Sequence, residues 1–175
     1  MKFLLKRLNQ SFVILSLTIM LAAGCSHIRN NVSVADKLQI KNVIALYASY
    51  ADKKQTEDQA KLFIKNAVIE VYQGQDEKPI KVIRGRNELQ KSFKENLDKF
   101  DKTMHFNGQN LVMIEGDTAT GEALCIAHHI VSKGNKKNLI VMGIRYSDEF
   151  VRQNNKWLFS KRKLYLDWVE NKIVD

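Results

Sequence analysis

The chain of 175 residues has little of what breaks or staples a fold: one proline and two cysteines. The lone Pro79 falls in a turn-like stretch, and no repeat or low-complexity tract is present. Cys25 and Cys125 cannot build a disulfide framework, so stability has to come from packing. No apolar run reaches the about 20 residues that cross a bilayer. The most apolar stretch, Phe12 to Ala23, is broken by Ser16 and Thr18. Basic residues outnumber acidic ones 28 to 19, but they are scattered in a way that suits element ends and solvent faces rather than one binding patch.

What is present begins with an export pattern. Lys2, Lys6 and Arg7 precede the apolar run, which closes on Leu21-Ala-Ala-Gly-Cys25. This resembles the lipobox of bacterial lipoproteins, and the resemblance implies cleavage of residues 1–24, lipidation of Cys25 and a polar tether over 25–34 that includes His27. Several acyl chains would hold such a protein on a membrane almost permanently. Ser26 after the cysteine resembles sorting to the outer membrane, which implies the periplasmic face of the bacterial cell envelope. The leader carries three of the 28 basic residues and no acidic one, leaving a net charge of +6. An exported chain argues against nucleic acid as partner and leaves attraction to an anionic membrane surface or an acidic ligand.

About 150 mature residues suit one domain. From Ala35 to Asp52 the apolar positions Leu38, Ile40, Val43, Ile44, Leu46, Tyr47 and Tyr50 predict an amphipathic helix, with Ser33 or Asp36 as N-cap. Thr56 and Gln59 fit a capping box for a short second helix ending near Phe63. Val68–Tyr72 and Ile80–Arg84 read as strands, and Leu89, Phe93, Leu97 and Phe100 mark a third helix over Asn87–Asp101. Four long strands follow, at Met104–Ile114, Thr118–Val131, Leu139–Gln153 and Trp157–Val169, separated by Gly- and Asn-containing turns. Helices first and a meander afterwards predict an α+β fold: a curved, mostly antiparallel sheet, cone-like, with about three helices from the N-terminal half packed on its concave face over residues 35–170.

The second long strand alternates with period two. Ala119, Gly121, Ala123, Cys125, Ala127 and His129 share one face. Five small residues ending in a histidine leave room for a packed helix or a ligand and suggest the floor of a concave pocket.

Tyr47-Ala-Ser-Tyr-Ala-Asp52, Val71-Tyr72, His105-Phe-Asn-Gly108, Gly116-Asp-Thr-Ala119, Ala127-His-His129 and Gly143-Ile-Arg-Tyr-Ser-Asp148 occur in an order and spacing that resembles the SnoaL-like group of the nuclear-transport-factor-2-like superfamily, which includes scytalone dehydratase and bile-acid dehydratases. The resemblance implies a dehydratase or isomerase that uses neither metal nor organic cofactor. It implies His129 as base, Asp52 as the carboxylate orienting it, His105 as a second pocket histidine, Tyr72 as a strand phenol, and Tyr47 or Tyr50 as the helix phenol. Where the scytalone enzyme has serine and asparagine, this chain has Ile144 and Tyr146, so the substrate-recognising set differs. Tyr146 and Cys125 are expected to face the pocket.

Three functions stay open at this point. The first is a lyase or isomerase acting on a small apolar hydroxy-carbonyl compound; the second is non-catalytic binding of an apolar molecule at the membrane; the third is an interaction module. A homo-oligomer is compatible with each. His128 and His129 point to opposite sides of a strand and cannot chelate one metal.

Overall fold

The computed structural model describes residues 34–174. The expected export signal, Cys25 and all of the expected tether except Val34 lie outside the described residues, as does the expected Ser33 cap. Val34 is already helical, and the first helix, α1, runs through 34–52. The remaining elements are α2 (Thr56–Lys61), β1 (Phe63–Gln73), β2 (Lys81–Arg84), α3 (Arg86–Leu97), β3 (Lys102–Glu115), β4 (Thr118–Lys133), β5 (Lys136–Gln153) and β6 (Lys156–Val174). Residues from Lys37 onward form a compact unit. Among the described residues no helix is long and apolar enough to cross a membrane.

The sheet is curved and unclosed, in the order β2-β1-β6-β5-β4-β3. The meander β3 to β6 is antiparallel throughout, as the turn residues require. Asn154 and Asn155, with φ of 50° and 59°, make the β5–β6 connection of the type that matches strand twist. β1 then pairs in parallel with β6 and antiparallel with β2. Register shifts between Asn107 and Asn110, between Gly143 and Ile144, and between Glu149 and Phe150 bend the long strands. Gly143 lies under the ring of Trp168, its cross-strand partner, so a Cβ there would collide with the indole.

The α+β expectation holds, with local corrections. α2 has Gln55 as its N-cap and no side-chain cap. Thr56 is therefore inside the helix, and Gln59 donates from Nε2 to the Tyr47 carbonyl (3.2 Å) instead of closing a capping box. α3 ends at Leu97 rather than Asp101, and β1 starts five residues earlier than expected, at Phe63.

The core lies between the helices and the concave face. Tyr47 of α1 meets the rings of Phe63, Phe93 and Phe159 edge-on at centroid separations of 5.9, 5.8 and 6.1 Å. Such pairs each contribute about 0.5–1.5 kcal/mol beyond the area they bury. The β4 alternation is realised: Ala119, Ala123, Cys125, Ala127 and His129 are buried. The four apolar residues among them belong to one core cluster with Ile40, Ile44 and Tyr47. These small side chains are therefore packed into the core rather than left open as a pocket floor.

Candidate functional site

A chamber of about 350 Å³ opens on the concave side. Its wall is mainly apolar, with Ile69 and Val71 from β1, Phe93 and Leu97 from α3, and Ile144 and Leu166 from the long strands. Tyr47, Tyr146, His105 and His129 bring polar atoms to it. A mostly apolar cavity with a few convergent polar groups is the ordinary form of a small-molecule site.

Asp52, at the end of α1, reaches β3. Its Oδ1 lies 2.6 Å from His105 Nδ1 and accepts from Thr103 Oγ1 at 2.9 Å, while Oδ2 accepts from the His105 backbone N–H at 3.0 Å. Thr103 and His105 are two apart on the strand and so share a face. Burial works to raise the Asp52 pKa, but the hydrogen bonds from the His105 ring and backbone, its charge and the Thr103 hydroxyl outweigh it and hold the carboxyl below its ordinary value. A negative charge at a helix C-terminus is unfavourable; these three donors compensate it.

The resemblance implied that Asp52 orients His129. The structure gives Asp52 to His105 instead. His129 stands beside that pair, its ring perpendicular to His105 at 5.4 Å between centroids and packed on Phe100 at 4.4 Å. Its Nδ1 is buried and has no hydrogen-bond partner among the described residues. Burial first, then the positive charge His105 can carry, pushes the His129 pKa down to about 4, against the pull of Asp52. His129 is thus a neutral imidazole at pH 7.

The other expected residues divide. Tyr47 and Tyr146 line the chamber; Tyr50 faces a separate surface groove beside Trp157. Tyr72 points to the opposite side of the sheet, where it stacks on Tyr165 at 4.8 Å and donates to Glu70 at 2.8 Å. That bond is the first cause, with burial next, of a Tyr72 pKa pushed up to about 12. Cys125 is buried under the core and does not line the chamber, and burial pushes its thiol up to about 11. Burial also raises the Tyr47 and Tyr146 pKa values, so both remain phenols that can donate. Beneath them lies Arg162, 4.2 Å from the Tyr47 centroid and 4.0 Å from that of Tyr146, held by two 2.7 Å bonds to Asp148. Among the described residues no three His, Cys, Asp or Glu side chains are grouped to hold a metal ion.

Several groups at this site escaped the sequence reading. Thr103 could have been found from its two-residue spacing to His105. Gln59 lines the chamber with Oε1 buried and unpartnered among the described residues. Lys81, Ser92 and Asn96 also line it, and no local pattern marks them.

The SnoaL-like domain family matches residues 32–163. The chain belongs to that family. Relatives of this SnoaL-like protein include uncharacterized proteins of Mycobacterium tuberculosis and Mycobacterium bovis, each 26% identical over 130 residues that span 74% of this chain and 84% of theirs. Among solved structures, a Novosphingobium aromaticivorans protein provisionally named a scytalone dehydratase superposes with a TM-score of 0.70 at 19% identity, covering 82% of this chain and 91% of its own. A hexachlorocyclohexane dehydrochlorinase, LinA type 2, gives 0.69 at 17% identity over 80% of this chain and 90% of its own. At those identities the likeness concerns the fold, which is that of the nuclear-transport-factor-2-like superfamily.

Proposed function

We propose that this SnoaL-like domain is a cofactor-independent lyase or isomerase that removes a proton beside a carbonyl in a small, largely apolar hydroxy-carbonyl compound. The Asp52–His105 hydrogen bond is the observation that carries this reading. A carboxylate accepting the Nδ1 proton fixes the tautomer and leaves the Nε2 lone pair as base. His105 takes the role that the resemblance gave to His129. The neutral His129 offers a ligand only its Nε2, since its Nδ1 is buried, and the Tyr47 and Tyr146 phenols donate to the carbonyl oxygen as it gains charge. In a dehydration the C–H electrons pass into the enolate, the β C–O bond breaks, and the proton held by His105 leaves on the departing hydroxide as water. The neighbours named for scytalone and hexachlorocyclohexane chemistry support this class of reaction without fixing the substrate. The N-terminal pattern supports anchoring at the cell envelope through Cys25.

The test is deuterium uptake beside the carbonyl of 2-tetralone in D2O, followed by NMR. The native chain should catalyse exchange and His105→Ala should lose it by about 10²–10⁴-fold. Equal exchange by both chains would reject the base assignment. No catalysis by the native chain with any cyclic ketone tried would leave non-catalytic binding, which the apolar wall also suits.

A further inference from the structure

The chamber has a second polar end. Lys81 stands on β2 and His105 on β3, the two edge strands of the six-stranded sheet. Lys81 Nζ donates to Ser92 Oγ at 3.1 Å, and Asn96 Nδ2, one helical turn further along α3, donates to the same oxygen at 3.4 Å. Lys99 Nζ donates to Asn96 Oδ1 at 3.2 Å, which turns the amide so that its nitrogen faces Ser92. Ser92 is buried and its Oγ already accepts twice, so its own proton is left to donate. Lys81, Ser92 and Asn96 all line the chamber, and no Asp or Glu does. Glu88 and Glu95 share only an outer groove with Lys81.

An ammonium, a hydroxyl and an amide N–H grouped on an otherwise apolar wall, with no lining carboxylate, match the charge and geometry of a ligand carboxylate, whose bonds to such donors are stronger than neutral ones. Lys81 and Asn96 are exposed, so a neutral ligand strands no buried donor; it forgoes the charge-assisted bond to the ammonium, and that difference sets the preference for an acid. Phe100, which touches His129, follows Asn96 by four residues and Ser92 by eight. α3 ends at Leu97, three residues before Phe100, so Ser92 and Asn96 lie on the helix and the histidines beyond its C-terminal end.

We propose that the chamber takes amphipathic anions: an apolar body against Ile69, Val71, Ile83 and Phe93, a carboxylate on Lys81, Ser92 and Asn96, and the reacting carbon at His105. This rests on the reading of the same chamber as a substrate site. Lys81 then determines specificity and takes no part in the proton transfer.

The probes are 2-naphthylacetate and 2-naphthylacetamide, equal in shape and different in charge, titrated calorimetrically into the full chain. The acid should bind about tenfold more tightly than the amide. Lys81→Met should bring the two within about twofold, and Lys81→Arg should keep most of the preference. Equal binding of acid and amide, a preference that survives Lys81→Met, or no binding of the acid would overturn the proposal. A Lys81-dependent preference together with no deuterium exchange would fail the catalytic reading alone. Exchange that depends on His105 without any charge preference would fail this one alone.

Discussion

Asp52 closes α1 and His105 is the fourth residue of β3, and the carboxylate holds both the ring Nδ1 and the backbone N–H of that one histidine, at 2.6 and 3.0 Å. The two-point grip fixes where the ring points as well as its tautomer. Asp52→Asn keeps the shape but replaces one carboxylate oxygen with a donor that cannot accept from His105. Deuterium exchange with 2-tetralone should fall by about 10²-fold or more, while the circular-dichroism spectrum stays native.

Tyr47 and Tyr72 lie on opposite sides of the sheet, so their variants should separate. Tyr47→Phe should slow exchange about tenfold, through loss of a donor in the chamber. Tyr72→Phe should leave the rate within about twofold and lower stability by about 0.5–1.5 kcal/mol, the ordinary worth of its bond to Glu70, as read from urea unfolding.

His129 titrates near pH 4 in the folded chain and near 6.5 in an unfolded one. Between those values the unfolded state binds the extra proton, so stability rises with pH across this window and is lost as pH falls from about 6.5 toward 4. His129→Phe, which keeps a ring against Phe100, should flatten that part of the curve. Urea midpoints measured from pH 4 to 7.5 for both chains would show parallel slopes if the assignment is wrong.

Arg162 and Asp148 are 1% and 2% exposed, so their pairing is made where neither charge can turn to water. Asp148→Asn should cost about 3–5 kcal/mol by stranding the guanidinium. The double change Asp148→Leu with Arg162→Met should cost less than either single change, because no lone charge remains. Urea denaturation of the three variants settles the sign of that coupling.

The fold was legible wherever the pattern was local. The alternation from Ala119 to His129 placed each β4 side chain on its observed face, and the turn residues gave the meander. The parallel β1–β6 pairing was not legible, since it joins segments about ninety residues apart with no local signal. Tyr72 was assigned to the pocket by resemblance, although Ile69 and Val71, three and one positions away on β1, are the apolar set that faces inward. The choice of Asp52 between two histidines could not be read either. Thr103 and His129 are register partners, so both imidazoles lie on the same face, and only the angle at which α1 arrives decides which one the carboxylate meets.

That angle traces back to methyl groups. Ala127 is the register partner of His105 and is fully buried in the cluster that includes Ile40, Ile44 and Tyr47. A bulkier side chain at 127 would prise the helix off the strand and draw the carboxylate out of reach, leaving every polar member of the dyad unaltered. The alignment of the acid and the imidazole is thus a tolerance set by the least reactive side chains nearby, and inactivating changes need touch none of the residues that handle protons.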